Sequence, residues 1–250
     1  MSPRRVDRPG VRPLVLAHRG ASVHAPENSL AAFRLAVEYG ADGIEFDVRY
    51  TADGAVVLSH PASVPGFGAL IDHPISDLRA ALPNIPTLDE VLAVTASLLL
   101  NIEIKNDPGD PDFDPEHHMA ATIVDWVEAN GLTGRILVSS FNAATVQRVR
   151  DLAPALPTGL LLERTGLILE RGLGIDSGLR IAANVGHEWL LPEKSALRLR
   201  PEKLIRAARA VGLRLGTWTV DAPWELERLR RAGVDAVITN DPQRTLALYS

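Results

Sequence analysis

The chain has no cysteine. Disulfides, thiolate-held zinc, iron–sulfur clusters and thiol nucleophiles are excluded, and any metal must take oxygen or imidazole ligands. There is no basic excess either: 26 lysines and arginines face 31 aspartates and glutamates, a formal net charge of −5. That balance is unlike the one-sided basic face of a nucleic-acid binder. No apolar run approaches the ~20 residues that span a bilayer. The basic start, "MSPRRVDRPGVRP", lacks the apolar core of an export signal behind it. Residues 1–13 therefore read as a flexible lead-in, and the chain as a cytoplasmic one without stable membrane insertion. Repeats, low-complexity tracts and internal linkers are also missing. At 250 residues the remainder, 14–250, suits one large domain that buries roughly 70–75% of its unfolded surface.

What the chain does have is alternation. Short apolar runs trade places with amphipathic segments such as "SLAAFRLAVEYG", "HHMAATIVDWVEANG" and "PWELERLRRAG", the pattern of a parallel sheet with crossover helices. Strands are expected at 14–18, 43–50, 56–60, 98–105, 136–141, 158–162, 180–185, 214–220 and 236–239. Nine candidates for eight positions imply one irregular member, and 180–185 is the weakest. The link from Asp47 to His60 holds only a tight "TADG" turn, so a regular crossover is missing there. The expected fold is an irregular (β/α)8 barrel, a single α/β domain, with function at the C-terminal ends of the strands.

Those ends carry the chemistry. In "GIEFDV" side chains alternate, which puts Glu45 and Asp47 on one face and Ile44, Phe46 and Val48 on the other. "NIEIK" repeats the logic with Asn101, Glu103 and Lys105 opposite Ile102 and Ile104. Two strands thus aim acids at the barrel axis. Buried like charges either share protons or surround a cation, and three carboxylates suit a hard ion such as Mg²⁺ or Ca²⁺, with Mn²⁺ also accepted. Taken singly, each acid reads as well as half of a salt bridge to Lys105 or Arg49. His18 and His60 both follow apolar runs, and an imidazole is the proton-transfer group suited to neutral pH. Arg19 offers a fork of donors that matches phosphate oxygens.

Together, "AHRGASVHAPENSLAAF", "GADGIEFDVRYTADGAVVLSH", "IPTLDEVL", "LNIEIK", "SSFN", "GTWTVD" and "GVDAVITNDP" resemble the glycerophosphodiester phosphodiesterase family, in its order and across most of the chain. The resemblance implies a barrel hydrolase that uses one divalent cation to cleave a small glycerophosphodiester to glycerol 3-phosphate and an alcohol. It implies Glu45, Asp47 and Glu103 as metal ligands and His18 and His60 as the acid–base pair, acting through a cyclic phosphate. Arg19 and Lys105 become phosphate contacts, and Trp218 an aromatic at the mouth. Glu27 and Asn28, in the "PEN" element, take supporting parts.

The chain departs from the family at two places. His60 is followed by Pro61 and "ASVPGFGALIDHP", where relatives carry an aspartate and then Arg-Thr-Thr, and Asp221 stands where asparagine is usual. The apolar "VPGFGALI" either favours a greasy leaving group, as in lysophospholipids, or packs on the barrel. A barrel that binds a phosphate or polyol without turnover is the reading of a different class. His187 in "ANVGHEWL" is either a further site residue or a surface-loop histidine. Trp126, Trp189 and Trp224 read as packing residues.

Overall fold

The structure, a computed structural model, describes residues 12–95, 98–163 and 175–250. The expected lead-in is therefore represented only by Arg12, paired with Asp42, and by Pro13.

The chain runs through β1 (Leu14–His18), α1 (Leu30–Glu38), β2 (Gly43–Tyr50) and β3 (Val56–Leu58). A small hairpin, β4 (Ser63–Val64) and β5 (Gly68–Ala69), precedes α2 (Ile75–Ala81) and α3 (Leu88–Thr95). Regular alternation then sets in with β6 (Leu99–Ile104), α4 (His118–Ala129), β7 (Ile136–Ser140), α5 (Ala143–Leu152) and β8 (Thr158–Leu162). The last part is α6 (Ile175–Val185), β9 (Trp189–Pro192), α7 (Pro201–Ala210), β10 (Arg214–Thr217), α8 (Pro223–Ala232), β11 (Ala236–Thr239) and α9 (Pro242–Tyr249). Parallel pairing in the order β1-β11-β10-β9-β8-β7-β6-β2, closed by β1 on β2, makes an eight-stranded barrel.

Two expectations about strands are corrected. The segment 180–185 lies inside α6. Leu179 and Ala182 are buried three residues apart while Arg180 is exposed, a helical spacing too brief to stand out in the sequence. The barrel strand follows it, as the continuous apolar run Trp189–Pro192. The segment around Val56 is not a barrel strand either. β3 turns back and pairs antiparallel with β2, Val48 facing Leu58 and Tyr50 facing Val56.

The alternation in β2 and β6 sorts the core. Ile44, Phe46, Val48, Ile102 and Ile104 are fully buried in one outer layer with Phe33 and Ala36 of α1 and Ile123 of α4. Inside the barrel, Leu16, Leu137, Leu161, Trp189, Leu191 and Ile238 form an apolar half. The other half, on β2, β6 and β7, is polar: Glu45, Asp47, Asn101, Glu103 and Ser139 are all buried.

Helix starts are fixed beside the strand ends. Ser29 caps α1 by accepting from the Ala32 N–H, Asn142 caps α5, and Asp241 caps α9. Gly20 in the turn after β1 has φ +83°, and a Cβ there would stand 2.6 Å from that of Ala32. Only glycine permits this close turn. The apolar segment behind His60 packs inward: Val64, Phe67, Ile75 and Ile85 cover buried Val57, Leu70 and Leu78 as a satellite core.

Candidate active site

One edge of β2 organises the site. β1 climbs it as far as the Arg19 N–H, which donates to the Glu45 carbonyl at 2.8 Å. β3 descends the same edge until the Ser59 N–H meets the Asp47 carbonyl at 3.2 Å. His18 and His60 thus reach the same few residues of β2 from opposite directions. The break in the regular crossover is what delivers the second histidine.

Between them lie the acids. Glu45, Asp47 and Glu103 each offer an oxygen within 4.8 Å of the others, and all three are buried. Burial, reinforced by the Asp47 charge, pushes the carboxyls of Glu45 and Glu103 up to about 8. Burial opposes ionisation of Asp47 as well, but Lys105 and Arg19 outweigh it and hold Asp47 below the usual range. Oε1 of Glu45 is buried with no hydrogen-bond partner. An orphaned carboxylate oxygen in a cluster of three is a donor suited to a hard cation. The residues present fit a divalent ion.

Two side-chain cations temper this charge. Lys105 Nζ is bonded to Glu103 and lies 3.0 Å from Asp47 Oδ1. Arg19 Nη1 donates to both oxygens of Glu27, at 3.0 and 2.9 Å, and its Nε lies 3.1 Å from Asp47 Oδ2. Glu27 therefore aims Arg19 across the site. The amide of Asn28 donates to Asp47 Oδ2 at 2.9 Å and fixes that carboxylate from the side.

The histidines differ in support. His18 Nδ1 is 2.7 Å from Asn240 Oδ1, and Nε2 points inward, 3.9 Å from Glu45 Oε2. Burial, then the Arg19 charge, lowers its proton affinity. His60 is anchored through its carbonyl, which accepts from Arg49 Nε at 3.1 Å and Nη2 at 2.9 Å. Arg49 is itself clamped by Asp112 at 2.7 Å and Asp110 at 2.7 Å. Burial and the Lys105 charge bring the His60 imidazole down to about 4.

A cavity of about 930 Å³ opens over this group and is lined by both histidines, Arg19, Glu45, Glu103, Lys105, Phe141 and Trp218. The Trp218 indole N–H donates to the Leu191 carbonyl at 2.8 Å, which fixes the ring at the mouth. Phe141 meets it edge-on at 5.4 Å, and Lys105 Nζ lies 5.7 Å from the Phe141 ring centre.

Every site residue read from the sequence, Glu27 included, converges here. His187 does not. It is buried at the opposite end of the barrel, before β9, where Nδ1 lies 2.9 Å from Thr158 Oγ1. It is neither a site residue nor a surface one. Trp224 is 63% exposed and is no packing residue. Sequence reading gave no part to Phe141 or Asn240, named Arg49 only as a salt-bridge partner for the acids, and treated Asp221 only as a departure. Position was the available signal: Asn240 and Asp221 follow barrel strands, and Arg49 continues the inward face of Glu45 and Asp47.

Known proteins share this sequence pattern and this fold. The glycerophosphoryl diester phosphodiesterase family matches residues 18–244. A glycerophosphodiester phosphodiesterase of Caldanaerobacter subterraneus subsp. tengcongensis is 33% identical, over 95% of this chain and 98% of that one. The crystal structure of a glycerophosphodiester phosphodiesterase from Thermotoga maritima superposes with a TM-score of 0.80 at 26% identity, covering 95% of this chain and 99% of that one. A phosphodiesterase of Oleispira antarctica, solved with its product sn-glycerol-3-phosphate, shares the fold at a TM-score of 0.79 and 24% identity, over 95% of this chain and 96% of that one. The chain belongs to the glycerophosphoryl diester phosphodiesterase family.

Proposed function

We propose that the chain, through its 14–250 barrel, hydrolyses small glycerophosphodiesters to glycerol 3-phosphate and an alcohol in the cytoplasm, with one divalent cation. The observation that carries this is the convergence of two imidazoles, a guanidinium and an ammonium on one cavity beside a cluster of three buried carboxylates. In this reading Glu45, Asp47 and Glu103 hold the ion, Mg²⁺ or Ca²⁺. When bound it supplies Lewis-acid stabilisation of charge on a phosphoryl oxygen.

The chain's own residues supply the rest. Arg19, aimed by Glu27, and Lys105 receive the non-bridging oxygens with charge-assisted hydrogen bonds. One histidine takes the proton from the glycerol hydroxyl next to the phosphorylated carbon, and that oxygen attacks phosphorus. The other protonates the departing alcohol. The cyclic phosphate then opens when the same pair, with roles reversed, delivers water. Trp218 and Phe141 cover the glycerol or the alcohol at the mouth.

Release of glycerol 3-phosphate from glycerophosphocholine, metal-free and with each ion restored, tests the reading. Metal-dependent release supports it. A folded protein silent with Mg²⁺, Ca²⁺ and Mn²⁺ on glycerophosphocholine and glycerophosphoethanolamine would refute it. The inward packing of buried Leu70 and half-buried Phe67 accounts for that segment's apolar residues without an acyl chain.

A further inference from the structure

Three consecutive barrel strands end in a chain of hydrogen bonds that reaches the site from outside it. Asp221 follows β10, Asn240 follows β11, and His18 ends β1. Asp221 Oδ1 accepts from the Thr239 hydroxyl at 2.9 Å and from the Asn240 backbone N–H at 2.8 Å. Its Oδ2 accepts from the Asn240 side-chain amide at 2.8 Å. The carboxylate is thereby locked in place.

Donor and acceptor inventory now fixes the next two groups. A carboxylate only accepts, so the Asn240 side chain must turn its NH₂ to Asp221. The reverse orientation would set two oxygens against each other. Asn240 Oδ1 is then left facing His18, where it also accepts from Ser22 Oγ at 3.0 Å. An amide oxygen cannot donate, so the His18 nitrogen 2.7 Å away must carry the proton. Neutral His18 is held as the Nδ1–H tautomer, and its Nε2 lone pair points into the site.

The geometry points to Asp221 and Asn240 as positioning residues that hold His18 as the base for the first half of the reaction, which leaves His60 as the acid. This rests on the phosphodiesterase reading above. In that step the hydroxyl O–H bond breaks and the proton goes to His18 Nε2. The oxygen's electron pair forms the new bond to phosphorus. The bond to the departing alcohol breaks, and its oxygen takes the proton of a His60 imidazolium, the form that the negative charge of the bound phosphodiester favours. Asn240 Oδ1 keeps its bond to Nδ1–H throughout, so the ring does not turn as it gains charge. Asp221 does for Asn240 what a conventional carboxylate does for histidine directly, one residue removed.

The test uses the full chain loaded with Ca²⁺ or Mg²⁺. Nitrogen NMR of histidine-labelled protein reports the tautomer without reference to turnover: His18 should carry its proton on Nδ1 in the wild type and lose that preference in Asn240→Leu. Kinetically, Asn240→Leu should lower kcat about 10- to 100-fold, with KM and metal half-saturation moving less than about threefold. Asn240→Asp sets a second carboxylate against Asp221 and should lose activity similarly. The exchange Asp221→Asn with Asn240→Asp restores one carboxylate, one amide and an acceptor for Nδ1–H, and should recover most of kcat. A structural role alone would move the melting temperature and KM without that rescue. Nε2–H on wild-type His18, undiminished kcat in Asn240→Leu, or an exchange no better than Asn240→Asp alone would each overturn the proposal. If Asn240→Leu does not fold, Asp221→Ala, which frees the Asn240 amide to turn, takes its place. A wild type without phosphodiesterase activity would refute the functional reading, while the NMR result would still decide the tautomer.

Discussion

At the end of β1 it is the ring of His18 that is held, through Nδ1, by Asn240. At the end of β3 it is the backbone of His60 that is held, through its carbonyl, by Arg49. Among the described residues none bonds to the His60 imidazole. The two supports differ in kind. Asn240 and Asp221 fix where a proton sits, whereas Arg49, Asp110 and Asp112 fix where a loop sits and leave the ring to its substrate. A group that must abstract from one fixed hydroxyl gains from the first arrangement. A group that must reach the oxygens of differing alcohols gains from the second.

The sharpest way to break this distinction is to change the leaving group. His18→Ala and His60→Ala should each lose about 10²–10⁴-fold in kcat on glycerophosphocholine, the usual worth of a general acid or base, with melting temperatures near wild type. On a 4-nitrophenyl ester of glycerol phosphate, whose phenolate departs unaided, His60→Ala should recover most of that loss in the first-turnover release of nitrophenolate. His18→Ala should not. Equal recovery in both variants would mean that the histidines are not divided as base and acid.

A second comparison is energetic. Arg49 and Asp112 are both nearly fully buried, with side chains 4% and 3% exposed. Arg49→Leu would strand the Asp112 charge, and breaking such a pair costs about 3–5 kcal/mol. Asn240→Leu removes one hydrogen bond to the Asp221 carboxylate and one to a neutral imidazole and should cost about 1.5–3 kcal/mol. Urea midpoints measure both. Similar losses would show that the two supports are built alike after all.

Protonation offers a smaller effect, at the acids between the two histidines. Glu45 and Glu103 have folded-state affinities raised above their unfolded values. Their contribution to metal-free stability is therefore complete below the ordinary carboxylate range and is lost as pH rises through about 8. Both histidines are depressed instead, so what they add is already present by pH 7, and they do not contribute to the change above it. The urea midpoint in EDTA should fall between pH 7 and 9, by about 2 kcal/mol, and Ca²⁺ or Mg²⁺ should flatten the slope by taking the protons' place. A midpoint that stays level in EDTA would mean that these carboxyls are already ionised at pH 7.

The sequence made the acids legible because strand periodicity is rigid: once Ile44, Phe46 and Val48 must face the helices, Glu45 and Asp47 have nowhere to go but inward. His18 and Arg19 were legible from their place at the end of an apolar run and from their side-chain chemistry. Antiparallel β3 was only half legible, since a short turn before Val56 signals a missing crossover but not which edge of β2 the returning chain will take. The Trp189–Pro192 strand was misplaced because an eleven-residue helix precedes it with too few contrasting residues to declare a period. The supports of the two histidines were beyond local reading. Asn240 and His18 stand 222 positions apart, and no spacing rule joins residues that only barrel closure makes neighbours.

The smallest expected effect concerns the segment behind His60, whose apolar residues raised a greasy leaving group as a reading. Phe67 is half-buried, packs on His73 with ring centres 4.1 Å apart, and covers Leu70 and Leu78. If this packing is its whole work, Phe67→Ala should cost about 1–2 kcal/mol in stability, a fraction of what a full core deletion costs. The ratio of kcat/KM for glycerophosphocholine over a lysophospholipid should then stay within about twofold of wild type, because a residue that binds neither alcohol moves neither transition state. A selective loss on the lysophospholipid would place Phe67 against an acyl chain. It would also make the segment behind His60 part of the binding surface, so that the backbone-held histidine would owe its looser support to a substrate that fills the space beside it.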